Sequence, residues 1–179
     1  MMQRKPFVRR REVRARLAPE SLTILLTFCF LLPESPIMKT VQQILKDSKT
    51  IAVVGLSTKP ERASHAVAAY LQQSGYRILP VNPSSVGQEI LGEPVHASLA
   101  DAAAALPAGT TIDIVDCFRN GEAMLPVARE AVEVRAGCLW MQLGVTNQAA
   151  ADLASAAGVS VVMDKCMKIE HRQLNQSAA

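Results

Sequence analysis

The chain has 179 residues, 49% hydrophobic and 20% charged, which excludes disordered and collagen-like classes and allows one domain with a buried core. Four cysteines without a C-x-x-C pair exclude a disulfide scaffold or a structural zinc site, and seven aromatic residues are too few for a base-stacking surface. The net charge of +3 sits at the head: residues 1–37 hold seven Lys/Arg and three acids, leaving 12 basic and 13 acidic residues, so the remainder has no electrostatic reason to seek nucleic acid.

Within residues 1–37 a basic stretch precedes the apolar run Leu22–Leu32. As a helix that run would rise only about 16 Å, too short for a hydrocarbon core of about 30 Å. It also lacks a small-x-small cleavage site before Leu32-Pro33-Glu34. Residues 1–37 are read as an extension outside the fold, either an over-called start or a poor signal-like segment. Taking Met38 as the start implies a cytoplasmic protein with no membrane partner.

From there short apolar runs alternate with helical patterns. Thr40–Lys46 is a short helix with Val41, Ile44 and Leu45 on one face. Ile51–Val54 is a strand ending at Gly55. Ser64–Ser74 is a helix stopped by Gly75, and Tyr76–Val81 a second strand closed by Asn82-Pro83. The polar stretch Ser84–Ala97 has room for a small hairpin. Leu99–Leu106 reads as an Ala-rich helix and Thr111–Cys117 as a third strand. Gly121–Arg135 is helical, with its regular part starting near Leu125 so that Pro126 falls in the first turn. Cys138–Met141 is the fourth strand. Thr146 is the expected cap of a helix running to Ala157, Val159–Met163 the fifth strand, and Met167–Leu174 a closing helix before a tail at 175–179.

Five strand–helix alternations predict an α/β fold: a single Rossmann-like, three-layer domain over residues 38–174, with a five-stranded, mainly parallel sheet. Ligands in such sheets bind beyond the carboxyl ends of the strands, at the switch in strand order. Small, polar and charged residues collect at those ends. Gly55-Leu56-Ser57 closes the first strand, and Ser57-Thr58-Lys59-Pro60-Glu61-Arg62 leads to the helix at Ser64. Two hydroxyls and two cations before a helix N-terminus suit a diphosphate or phosphomonoester. The dinucleotide fingerprint is incomplete, since Gly55 is followed by Leu56-Ser57-Thr58-Lys59-Pro60. Asn82-Pro83 also stands where an acid would hold a ribose. A phosphorylated nucleotide other than NAD is therefore expected.

The segments Ile51–Arg62, Gly75–Pro83, Asp116–Asn120, Leu139–Val145 and Val161–Cys166 together resemble the stand-alone CoA-binding domain family (YccU-like), related to the CoA-binding domain of the succinyl-CoA synthetase α subunit. The resemblance spans about Thr40 to Leu174. It implies coenzyme A, or an acyl-CoA, in the crevice at the strand ends. Carried over by position, Gly55, Leu56, Ser57 and the helix start at Ser64 would meet the diphosphate, with Lys59 and Arg62 supplying charge. Val81, Asn82 and Pro83 would line the adenosine end beside Phe118 and Arg119, while Gln142 and Gly144 would lie toward pantetheine. The expected role is a carrier, sensor or partner module without catalysis of its own. The alternatives are a component of an acyl-CoA ligase or transferase completed by a partner chain, or an NAD(P)-binding redox protein. A partner protein or a homo-oligomer stays open.

His65, His96 and His171 lack acid–base partners in the sequence and read as surface or capping imidazoles. Cys117 and Cys138 read as buried thiols. Cys166, beside Lys165 and Lys168, is a candidate for exchange with the CoA thiol.

Overall fold

The computed structural model describes residues 39–176; the extension at 1–37, the start at Met38 and the last three tail residues lie outside it. In chain order the elements are α1 (Val41–Asp47), β1 (Thr50–Val54), α2 (Ala63–Gln73), β2 (Arg77–Val81), β3 (Glu89–Ile90), β4 (Glu93–Pro94), α3 (Leu99–Ala104), β5 (Ile114–Cys117), α4 (Met124–Glu133), β6 (Cys138–Met141), α5 (Gln148–Ala156), β7 (Ser160–Val162) and α6 (Met167–Gln176).

The main sheet has the order β2-β1-β5-β6-β7, and every pairing in it is parallel. Strand direction and alternation divide the core in two. Ile51, Val53, Ile114, Trp140 and Val162 face α1, α2 and α6 through Leu45, Leu71 and Met167. Ala52, Leu79, Val115, Leu139 and Met141 face α3, α4 and α5 through Leu99, Met124 and Ala150. Near-continuous apolar runs such as Ile51–Val54 are what a sheet covered on both faces requires.

The predicted hairpin is β3–β4. Its two-residue turn holds Leu91 and Gly92, both at positive φ, the geometry that matches strand twist in a tight hairpin. Pro126 is the third residue of α4, where its missing N–H breaks no helical bond. Trp140 is fully buried and its indole N–H donates to the Lys165 carbonyl at 2.7 Å, tying β6 to the turn before α6.

Most boundaries shift by one to three residues from expectation, and three of the differences have a bearing on the fold. The third strand begins at Ile114, not Thr111, because Asp113 turns its carboxylate to the backbone N–H groups of Lys49 and Thr50 at 2.8 and 2.9 Å. The cap of α5 is Asn147 rather than Thr146. Its Oδ1 accepts from Ala150 N at 2.8 Å while its Nδ2 donates to the Gly121 carbonyl at 2.8 Å, so the one amide caps the helix and ties it to the segment before α4. The closing helix continues to Gln176, two residues into the stretch read as tail. Among the described residues no helix is long and apolar enough to cross a membrane.

Replacing Trp140 by Phe removes the indole donor and leaves the Lys165 carbonyl unmatched. Urea unfolding is expected to show a loss of about 2–3 kcal/mol; a loss under about 0.5 kcal/mol would mean that this bond is immaterial to the sheet.

Candidate functional site

The strand order reverses between β1 and β5: β2 lies on one side of β1, while β5, β6 and β7 extend on the other. The chain leaves these two central strands through Gly55 and Phe118, and the gap between the two exits is the switch point. Gly55 has φ +83°. A Cβ there would stand 2.7 Å from the Phe118 carbonyl oxygen, so glycine is needed for the two exits to approach.

A cleft of about 550 Å³ opens above this contact. The loop Ser57–Arg62 forms one wall, with Ser57, Thr58, Lys59 and Arg62 reaching it. Arg119 faces them from the exit of β5, and Glu61 is the acid on the rim. The floor is the start of α2, where no side chain caps the first turn, leaving a positive helix end toward the cleft. Internal bonds shape the loop: Ser57 N–H donates to Ser64 Oγ at 3.1 Å, and Lys59 N–H donates to Ser57 Oγ at 3.2 Å.

Two smaller hollows join the cleft, one on each face of the sheet. Toward α4 a hollow of about 250 Å³ is bounded by Val54, Val81, Pro83, Ala97, Pro126 and Glu130. Toward α2 and α6 a hollow of about 390 Å³ is bounded by Val67, Phe118, Leu143, Val145, Cys166 and Ile169, with Gln142 in its wall. Arg119 borders all three spaces. Leu143 and Ile169, 66% and 48% exposed, form the rim of the second hollow, so this apolar wall faces solvent.

The crevice brings together Gly55, Ser57, Lys59, Arg62, Ser64, Asn82, Phe118 and Arg119, with Val81 and Pro83 on one side and Gln142 on the other. Some of these residues have other tasks. Leu56 is fully buried in the core beneath the loop, so its side chain is unavailable to a ligand. Ser64 is buried and holds the loop. Asn82 Nδ2 donates to the Leu56 carbonyl at 2.9 Å and its Oδ1 accepts from Ser84 N–H, which joins the exits of β1 and β2. Gly144 borders none of the three spaces; its N–H donates to Asp164 Oδ1 at 2.7 Å.

Sequence reasoning passed over Ala97, Pro126, Val145 and Ile169, which reach the crevice only through packing, and Asp116. Asp116 is fully buried. Gln142 Nε2 donates to its Oδ1 at 2.6 Å, and its Oδ2 has no partner. Burial raises its carboxyl to about 7, against the lowering pull of the Gln142 hydrogen bond. The visible sign was an acid inside the apolar run Ile114-Val115-Asp116-Cys117.

His171 is buried, not a surface imidazole. Tyr70 OH lies 3.0 Å from its Nδ1, both Tyr70 and Tyr76 pack edge-on against it, and burial lowers its pKa. Glu170 Oε1 accepts from Lys165 Nζ at 3.0 Å. Cys117 and Cys138 are buried. Burial pushes both thiols up, Cys138 to about 12. Cys166 is half-buried. No group of three or more metal-ligating side chains occurs among the described residues.

The family described as the CoA binding domain matches residues 49–172. An uncharacterized Bacillus subtilis (strain 168) protein, YneT, is 39% identical over 138 residues, covering 77% of this chain and 96% of its own. A Thermus thermophilus structure, cell-free ID.343, shares 37% identity at a TM-score of 0.69, covering 76% of this chain and 99% of its own. A hypothetical protein from Pyrococcus horikoshii OT3 shares 32% identity at a TM-score of 0.67, with 81% and 99% covered.

Two predictions come from this geometry. Gly55→Ala combines a left-handed backbone with contact against the Phe118 carbonyl and should lower stability by at least about 2 kcal/mol. Gly144→Ala has open space around the new methyl and should lose only about 1 kcal/mol; equal losses in urea unfolding would show that the close approach is not the reason for Gly55. The second concerns Asp116, whose folded pKa lies above its unfolded value. The folded state then holds a proton that the unfolded chain releases, so stability is fullest below about pH 4 and falls as pH rises toward 7. The decrease is on the order of 4 kcal/mol, and denaturation across that window should find it in the natural protein and not in Asp116→Asn.

Proposed function

Because the chain belongs to the CoA binding domain family, we propose that it holds coenzyme A or an acyl-CoA in the crevice at the β1–β5 switch point, as a carrier, sensor or partner module. The observation that carries this reading is the shape of the crevice: one cationic cleft with an apolar hollow on either side, all three meeting at Arg119. Coenzyme A has the same order of parts, a charged diphosphate between an adenosine and a pantetheine arm.

The diphosphate is placed against the Ser57–Arg62 loop and the uncapped start of α2. There backbone N–H groups, two hydroxyls and the cations Lys59, Arg62 and Arg119 supply charge-assisted bonds. The adenosine is placed in the hollow beside Val81 and Pro83. Pantetheine is placed in the hollow beside Phe118 and Gln142, where the exposed Leu143 and Ile169 would be covered. The NAD reading is disfavoured by Asn82. It stands where a ribose-binding acid would be needed, and both ends of its amide are committed to backbone groups. A cytoplasmic site of action is part of the same proposal.

Calorimetry with CoA, NAD and NADP tests the reading. CoA should bind, with an affinity that falls as salt rises. Arg119→Ala should weaken it at least about tenfold, the value of one charge-assisted bond. Ser57→Trp should abolish it while circular dichroism stays unchanged. Equal affinity for CoA in the natural protein and in both variants would place the ligand elsewhere.

A further inference from the structure

Asp116 is the group the binding site does not explain. Its carboxyl lies on the α2–α6 face of the sheet, in register with Val53 on one side and Trp140 on the other. Gln142 follows two residues after Trp140, so strand alternation brings its side chain to the same face. An ionised carboxylate with one oxygen unpartnered and no exposure is expensive to keep in a core. An apolar residue in its place would pack as the surrounding Val53 and Trp140 do. Its one contact explains its presence: Nε2 of Gln142, a residue in the wall of the apolar hollow.

An amide has a donor end and an acceptor end. With Nε2 committed to Asp116, the end left over is Oε1. Resting on the CoA reading above, we propose that Asp116 is a positioning residue that orients Gln142 so that Oε1 accepts an N–H from the pantetheine arm. Pantetheine carries two amide N–H groups, and an apolar hollow that takes them needs an acceptor. An ionised Asp116 only accepts, and so fixes this orientation. A protonated Asp116 both donates and accepts, so it can hold either end of the amide and Oε1 is no longer fixed toward the ligand.

The pair is thus coupled to pH. The titratable groups coupled to Asp116 are the thiols of Cys117, on its own strand, and Cys138 on β6, each raised by burial and by the Asp116 charge and both protonated at neutral pH. On the hollow's side stand Arg119 and Cys166; on α6, Glu170 is held by Lys165 and His171 by Tyr70. Burial brings Asp116 to about 7, so ligand binding that requires its ionised form weakens as pH falls through that region and releases a proton near it.

The test is calorimetric titration with dephospho-CoA, which retains the diphosphate and pantetheine but has no phosphomonoester to titrate near neutrality. Between about pH 8 and pH 6 the natural protein should lose affinity by up to about tenfold per pH unit, with proton release on binding in buffers of different ionisation enthalpy. Asp116→Leu should weaken binding at the upper pH. Asp116→Asn, which like the protonated acid both donates and accepts, should bind about as weakly as the natural protein at the lower pH and show no pH dependence. Affinity in the natural protein that stays constant from about pH 8 to 6, or a pH dependence that persists in Asp116→Asn, overturns the assignment and leaves the CoA reading standing. Absence of binding of CoA and dephospho-CoA alike at about pH 8 overturns both.

Discussion

The crevice depends on one backbone contact, the approach of the Gly55 turn to the Phe118 carbonyl. Parallel strands β1 and β5 run side by side, and their exits must diverge to either face of the sheet. If the Gly55 position carried a Cβ, it would stand 2.7 Å from the carbonyl oxygen, a separation that side-chain repacking cannot relieve because backbone opposes it. Two hydrogen bonds hold the arrangement: Phe118 N–H donates to the Val54 carbonyl, and Gly55 N–H to the Val81 carbonyl. With the exits pinned, the Ser57–Arg62 loop and Arg119 face each other across a cleft, and the two hollows open on opposite faces.

The loop owes its form to polar side chains spent on backbone rather than on ligand. Ser64 takes the Ser57 N–H, and Asn82 bridges the Leu56 carbonyl and the Ser84 N–H. Leu56 anchors the loop from below by burying its side chain completely. These three residues hold the backbone that carries Lys59 and Arg62. The preorganisation is of the kind that reduces the entropy lost on binding.

Asp116 runs against the packing logic of the sheet. Its neighbours on the same face are Val53, Trp140 and Val162, and burial opposes its charge. A core that tolerates such a group has a use for it beyond stability. Its bond to Gln142, at the lip of the hollow, is where that use is found.

The alternation of apolar runs and helical patterns was enough to establish the layered α/β fold and its five strands, and it put the candidate crevice at their carboxyl ends. Parallel strands covered on both faces leave a strong local signature in runs such as Ile51–Val54 and Cys138–Met141. Residues whose roles come from neighbours distant in the chain were not legible. Nothing local distinguishes Asn147 from Thr146 as the cap until Gly121 stands beside it. Nothing marks His171 as buried until Tyr70 and Tyr76 close around it, or Leu56 as core rather than loop. The pairing of Asp116 with Gln142 needs two strands in register, and the opposite placement of the two hollows needs the order of five. Periodicity is a property of a short segment and survives in the sequence; side-chain partnership is set by which segments meet, and only the folded chain decides that.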